Sequence, residues 1–309
     1  MKLHTILGSN GTIAKELVPI LKSNQVNIRL VSRNQGPVEG AESMVADVLN
    51  YDQVLKAVAG SEAVYLLVGL TYNADIWKKD WPVLMRNVIN ACKATNARLV
   101  FFDGIYMYGK VDGVITEDTP YYPSSRKGQV RAEVARMLLQ EMAAGTIKAV
   151  IARATDFYGP GVTDKSAAGI LVFDNMKKGK RAQWMINANV PRSYNYTPNA
   201  AKALYILASH EEAFGQVWHL PSASPLTGRE FIRLAAKYMK TSDKVFVLPK
   251  WCIKIIGWFN PFMKSYYEMT YQDEFPLQLS SAKFEKAFHF TPTSYEDGVK
   301  ATADWYLAN

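Results

Sequence analysis

The chain has 309 residues, 49% of them apolar and 21% charged, with a formal charge of +8. That apolar share excludes a disordered protein, and the absence of any run of about 18 apolar residues or of a signal-like leader predicts no membrane partner and a cytoplasmic location. Lys and Arg are dispersed in short clusters such as Lys177, Lys178, Lys180 and Arg181, so the charge reads as a solvated basic surface, with an anionic ligand as its functional meaning and nucleic acid not expected.

The chain opens on an apolar run, Leu3, Thr5, Ile6 and Leu7, broken by Gly8-Ser9-Asn10-Gly11-Thr12-Ile13-Ala14. Ile13, Leu17, Ile20 and Leu21 follow at helical spacing, and then a second apolar run, Val26 to Val31. Strand, glycine turn, helix and strand in this order form the setting in which a glycine pattern predicts a dinucleotide site. Gly8 lets the chain turn sharply, Gly11 lets the backbone approach a pyrophosphate, and Ala14 permits close helix-to-strand packing. The first helical amides then present the positive end of the helix dipole to the phosphates.

The alternation continues. Ser43 to Ala46 is a short strand leading to Asp47, Asp52 is placed to cap a helix carrying Val54, Leu55 and Val58, and Ala63 to Val68 is a buried strand. A polar loop containing Trp77 precedes a helix from about Trp81 to Thr95, followed by a strand at Leu99 to Phe102, a helix through Val130, Val134, Leu138 and Met142, and a sixth strand at Ala149 to Ala152. Strands apolar throughout and separated by helices predict an α/β fold whose parallel sheet is covered on both faces. Past Tyr158-Gly159-Pro160-Gly161 the rhythm changes; Thr227 with Glu230, and Ser294 with Asp297, mark the starts of two more helices. Trp251, Trp258, Phe259, Phe262, Tyr266, Tyr267 and Tyr271 predict a packed aromatic core for a smaller C-terminal domain. Cys92 and Cys252 read as buried thiols, and the four histidines lack metal-ligand spacing, so no metal site is expected.

Gly8-x-x-Gly11-x-x-Ala14 resembles the fingerprint of the extended and atypical short-chain dehydrogenases/reductases, which include the epimerase/dehydratase-like enzymes. Arg153-Ala154-Thr155-Asp156-Phe157-Tyr158-Gly159-Pro160-Gly161 resembles their R-x-x-N-V-Y-G-P-G segment, and Tyr194 to Ala201 resembles their V-x-D-x-A segment. The resemblance implies a Rossmann-type doubly wound sheet over residues 1–159, completed by 194–221, and a smaller α+β substrate domain from 160–193 and 222–309. It also implies that Ser9, Asn10, Thr12 and Ile13 join the glycines at the cofactor, that Asp47 and Val48 lie at the adenine, Leu67, Val68 and Gly69 beside the ribose and pyrophosphate, and Asp156 and Phe157 near the nicotinamide. Asp47 has a turn role as its alternative.

The second strand ends Val31-Ser32-Arg33-Asn34. A carboxylate here would select NAD(H), whereas a guanidinium suits a 2′-phosphate, so NADP(H) is the preferred cofactor and NAD(H) the other possibility. Family enzymes work with a Ser and a Tyr-x-x-x-Lys pair; this chain has Gly104 at the serine position, Ser125 at the tyrosine and Gln129 at the lysine. Tyr106, Tyr122 with Arg126, and Lys127 are the substitutes at hand, each with a packing or surface role as its alternative. Two functions follow: an NAD(P)-dependent oxidoreductase or epimerase/dehydratase-like enzyme acting on a small carbonyl, hydroxyl or sugar-type substrate, or an NADP(H)-sensing binding protein that acts through a protein partner. Family members often dimerise through the helices that here are Trp81 to Thr95 and Gln129 to Ala143, which implies a homodimer.

Overall fold

A computed structural model describes residues 2–163 and 166–309; Met1, Asp164 and Lys165, which the sequence reading includes in its two domains, lie outside them. Along the chain the elements that build the central sheet are β1 (Leu3–Leu7), α1 (Thr12–Ser23), β2 (Asn27–Ser32), β3 (Glu42–Val45), α2 (Tyr51–Val58), β4 (Ala63–Leu66), α3 (Ala74–Thr95), β5 (Arg98–Asp103), α4 (Arg126–Ala143), β6 (Ala149–Arg153), α5 (Thr197–Ser209) and β7 (Val217–His219). The strands form one seven-stranded sheet in the order β7-β6-β5-β4-β1-β2-β3. Every pair from β3 to β6 is parallel, with β1 flanked by β2 (Ile6 opposite Leu30) and β4 (Ile6 opposite Tyr65). This is the α/β Rossmann-type sheet expected from the sequence. Its strand order reverses between β1 and β4, so the crevice beyond the C-terminal ends of these two strands is where such a sheet takes a ligand.

Two helix starts differ from the sequence expectation. Asn50, not Asp52, caps α2: its side chain accepts from the Gln53 amide at 3.1 Å, and Asp52 lies in the first turn, where its charge complements the dipole. The helix α3 starts at Ala74, seven residues before Trp81, because the Asn73 side chain accepts from the Asp75 and Ile76 amides. Trp77 is therefore a buried helical residue and not part of a loop, and Pro82 sits inside the helix, whose buried face runs through Trp77, Trp81, Leu84, Met85 and Val88.

The chain divides into two compact units. One holds Met1–Met107, Lys127–Arg153 and Ala200–Trp218; the other holds Tyr108–Arg126, Ala154–Asn199 and His219–Asn309. In the second unit the helices Gly228–Met239 and Tyr295–Ala308 pack on an aromatic core of Tyr158, Phe173, Trp184, Tyr194, Phe231 and Tyr306. Both helices begin as their sequences indicate. Thr227 and Glu230 complete a reciprocal capping box, and Ser294 accepts from the Asp297 amide at 3.1 Å. Short two-stranded pairs, Ala182–Met185 with Val245–Leu248 among them, complete this unit. The expectation for the C-terminal aromatic run is overturned in part: Trp251, Trp258, Phe259 and Phe262 are exposed, while the core is built from aromatics elsewhere in the sequence. Cys92 is buried and its thiol is pushed up to about 12 by that burial; Cys252, expected to be buried as well, is only half-buried. No described helix is long and apolar enough to cross a membrane, and no metal-ligand cluster occurs among the described residues.

Burial on β1 also sets an acid sensitivity. His4 is 3% exposed, its Nδ1 lies 3.0 Å from the Tyr65 hydroxyl, and burial pushes its pKa down to about 4 from 6.5. The unfolded chain therefore binds a proton at His4 between these values while the folded chain does not, so the stability this neutral ring permits is whole above pH 6.5 and is lost as the pH falls towards 4. The loss amounts to about 3 kcal/mol. Urea unfolding of the wild type and His4→Gln at pH 7 and pH 5 is expected to show a smaller acid-dependent decrease in the variant.

Candidate functional site

The turn after β1 is fixed by backbone contacts. Gly8 sits at φ +93°, its amide donates to the Val31 carbonyl at 2.9 Å, and a Cβ there would lie 2.8 Å from both the Leu67 carbonyl carbon and the Val68 amide nitrogen. Only glycine meets both the conformation and the space. The Gly11 amide closes the turn onto the Gly8 carbonyl at 3.1 Å, and a Cβ on Gly11 would come within 3.2 Å of that oxygen. Gly11 is also the N-cap of α1 and offers no side-chain cap, so the opening of the helix is left to amides and dipole, with Thr12 and Ile13 as its first residues and no acidic group in the first turn. Ala14 is fully buried behind them.

A small polar network ties this loop to the end of β2. The Ser9 hydroxyl donates to Gln35 Oε1 at 2.5 Å, the Ser32 hydroxyl donates to the same oxygen at 3.3 Å, and Asn10 Nδ2 donates to the Ser32 hydroxyl at 3.0 Å. Sequence reasoning passed over Ser32 and Gln35, although their place at a strand end beside the glycine turn was the available signal. Arg33 is exposed beside them, and no carboxylate stands among Ser32, Arg33 and Asn34.

Asp47 makes a turn: its carboxylate accepts from the Leu49 amide at 3.0 Å, and its own amide donates to Gln53 Oε1 at 2.7 Å. Val48 is buried and its carbonyl accepts from Asn87 Nδ2 at 3.1 Å. Leu67 and Val68 are the residues Gly8 abuts, and a Cβ on the exposed Gly69 would meet nothing within 4 Å. The residues from Gly8 to Ile13, Arg33, Asp47, Val48 and Leu67 to Gly69 thus all lie on the C-terminal side of the strands in one unit. This surface fits a dinucleotide: a diphosphate needs bare backbone amides, and the turn opens on Gly8, where no side chain can stand.

Beyond β5, Tyr106 stacks on Trp77 with ring centres 5.9 Å apart and planes 20° from parallel. Tyr72 meets Trp77 edge-on at 5.7 Å, and the fully buried Lys127 places its ammonium 4.4 Å over the Tyr72 ring. The helix α4 brings Lys127 here one residue after its start, whereas Gln129 is exposed and Ser125, just before the helix, is buried. Four residues after Lys127, Arg131 is buried against Trp81, its guanidinium carbon 4.1 Å from the ring centre, and its Nε donates to Asp103 at 2.8 Å. Asp103 ends β5, next to Gly104, and its other oxygen lies 3.7 Å from Nε of the buried Arg153. A buried acid between two arginines was not anticipated from the sequence.

The remaining sequence candidates lie in the second unit. Tyr122 is 72% exposed, and its backbone carbonyl closes over Gly109, where a Cβ would lie 1.9 Å away. The Arg126 amide donates to Glu268 Oε2 at 2.9 Å. Phe157 pairs with Asn195 in a short strand pair, and the neighbouring Asp156 carboxylate accepts from Arg192 at 2.8 Å. Arg192 also donates to Asp273, which accepts from the Tyr266 hydroxyl. Burial works against the charge on Arg192, but Asp273, Tyr194 and Asp156 outweigh it and hold the guanidinium above its usual range; burial likewise raises the Asp273 carboxyl and the Tyr266 phenol. The fold therefore brings Tyr106 and Lys127 into one aromatic cluster in the unit that carries the glycine turn, and gives Tyr122 a separate, solvent-facing place.

The model of the NAD dependent epimerase/dehydratase family matches residues 4–220. The uncharacterized protein y4nL of Sinorhizobium fredii (strain NBRC 101917 / NGR234) is 29% identical over 221 residues, and the match spans 68% of this chain and 61% of that relative's length. Among solved structures, dTDP-glucose 4,6-dehydratase (DesIV) from Streptomyces venezuelae with NAD and TYD bound superposes with a TM-score of 0.83 at 15% identity, covering 99% of this chain and 97% of that one. UDP-glucuronic acid 4-epimerase from Bacillus cereus in complex with NAD gives 0.81 at 17% identity, covering 99% of each chain. At these identities the two structures show the shared fold.

The turn geometry makes a direct prediction. Gly8→Ala is expected to lower the unfolding free energy by about 2–5 kcal/mol through backbone strain and overpacking, and to weaken dinucleotide binding at least about tenfold. Gly69→Ala, with open space around it, is expected to change stability by less than about 0.5 kcal/mol. Thermal unfolding and a cofactor titration of the two variants check both.

Proposed function

The chain belongs to the NAD dependent epimerase/dehydratase family, and on that premise we propose that it is an NADP(H)-preferring oxidoreductase or epimerase/dehydratase-like enzyme, acting on a small carbonyl, hydroxyl or sugar-type substrate with an active site lacking the usual Ser, Tyr and Lys. The observation that carries the reading is the glycine turn at the sheet's reversal point, which leaves the amides of α1 uncapped against backbone where only glycine fits. The bound nicotinamide supplies hydride transfer. The amides opening α1 hold the diphosphate, Leu67 and Val68 wall the turn from the other side, and Arg33 takes the 2′-phosphate through a charge-assisted contact. The Tyr106 phenol hands a proton to the substrate oxygen, steadied by its stack on Trp77, while Lys127 contributes buried positive charge through the Tyr72 ring. Tyr122, being exposed, has the weaker support of the three sequence candidates.

Ser125 and Gln129 at the family's tyrosine and lysine positions favour a second reading, a catalytically weak NADP(H)-sensing protein that acts through a partner. General acid catalysis is worth about 10²- to 10⁴-fold, so its loss slows hydride chemistry without abolishing it. The aromatic and charged cluster in the unit that carries the glycine turn supports the enzyme over the sensor.

Titrating NADPH and NADH against wild type and Arg33→Ala is expected to show NADPH favoured by about 10- to 100-fold in the wild type and the preference lost in the variant. Equal affinities throughout would remove the NADP(H) assignment. Across a panel of aldehydes, ketones and nucleotide sugars, Tyr106→Phe is expected to lower kcat by about 10²-fold or more with the cofactor Kd unchanged. Tight cofactor binding without turnover on any substrate would instead favour the sensor.

A further inference from the structure

Residues 250–267 contain three lysines and no acidic residue, and fold as a helical hairpin, Lys250–Ile256 and Pro261–Tyr267. The hairpin has a defined frame. Gly257 lets the second helix approach closely, since a Cβ there would lie 3.1 Å from the Lys264 Cα. Asn260 caps the second helix by accepting from the Met263 amide at 3.1 Å, and Ile253 is fully buried beneath. From this frame Trp251, Ile255, Ile256, Trp258, Phe259 and Phe262 project outward. The tip is the most open part, with Trp258 72% and Phe259 85% exposed. The other large exposed apolar residues are spread along the chain, so the side chains gathered here form a patch of the kind that marks an interaction site.

We propose that this hairpin docks the protein onto an anionic lipid surface, its Trp258–Phe259 tip entering the headgroup region and Lys254 and Lys264 meeting lipid phosphates. The charge pattern selects this occupant. Lysine is depleted at protein–protein interfaces, whereas an apolar face rimmed by lysines and tipped by aromatics is the composition of helices that lie at a bilayer surface. Lys250 is held by Glu274 at 2.5 Å, while Lys254 and Lys264 are exposed. A second copy is disfavoured, because a two-fold contact through this patch sets like charges against each other. The missing transmembrane run, from which the sequence suggested no membrane partner, has no bearing on a segment that lies on a surface.

The test is co-sedimentation of the full chain with vesicles of equimolar phosphatidylglycerol and phosphatidylcholine, compared with phosphatidylcholine alone. Binding to the anionic vesicles is expected, weakening about tenfold or more in Lys254→Gln/Lys264→Gln and on raising salt from about 0.1 to about 1 M, and lost in Trp258→Ser/Phe259→Ser. A blue shift of tryptophan emission on vesicle addition, absent in the Trp258→Ser/Phe259→Ser protein, locates the contact. These substitutions are at exposed positions, and circular dichroism melts matching the wild type confirm the fold. Sedimentation no greater than that of the Trp258→Ser/Phe259→Ser protein overturns the proposal. So does a vesicle-free dimer, seen by analytical ultracentrifugation, that the same substitutions dissolve.

Discussion

The close approach of Gly8 to the Leu67–Val68 backbone is the contact on which the nucleotide-binding half depends. It lets the chain leave β1, turn, and re-enter as α1 while β4 runs alongside without a gap. Because β1 and β4 are the strands between which the sheet order reverses, the same contact sets the floor of the crevice where a parallel sheet binds its ligand. Hydrogen bonds from Gly8 and Ser9 to the Val31 carbonyl then bring the end of β2 to the turn, and with it Ser32, Arg33 and Gln35. Cofactor geometry and sheet geometry are one constraint here.

Beyond β5 this unit is packed with aromatic and charged side chains. Trp77 touches Tyr106, Tyr72 and Trp81 in turn, Lys127 lies over the Tyr72 ring and Arg131 over the Trp81 ring. The ring quadrupole attracts a cation placed over its face, which adds to the Asp103 contact in holding Arg131 and steadies Lys127 over Tyr72, so two basic side chains four residues apart on α4 are both buried.

How much of this was legible in the sequence follows from how local each cause is. The glycine turn, the Thr227 capping box, the Ser294 cap and the alternation of strands and helices along the chain were readable because each is decided within a few residues by φ, by a side-chain oxygen or by apolar periodicity. The start of α3 was not, because the stretch around Trp77 reads as a polar loop, and only the Asn73 cap and the burial of Trp77 extend the helix back to Ala74. The aromatic run near the C-terminus misled for a different reason: Trp258 and Phe259 have the composition of a core, but the hairpin buries Ile253 and leaves them exposed at its tip. Asp103 between Arg131 and Arg153 joins three separate stretches of chain, a placement no single window of sequence contains.

That ion pair also bears on how the chain can change over time. Asp103 and Arg131 are both buried, and removing either alone leaves a desolvated charge at a cost of about 3–5 kcal/mol, a large part of the ~5–15 kcal/mol that holds a typical domain together. A lineage carrying this pair cannot exchange Asp103 or Arg131 alone without passing through a poorly folded ancestor, so the two positions are bound to change together. The ion pair is therefore entrenched, a ratchet set by electrostatics in the interior and independent of selection on any reaction.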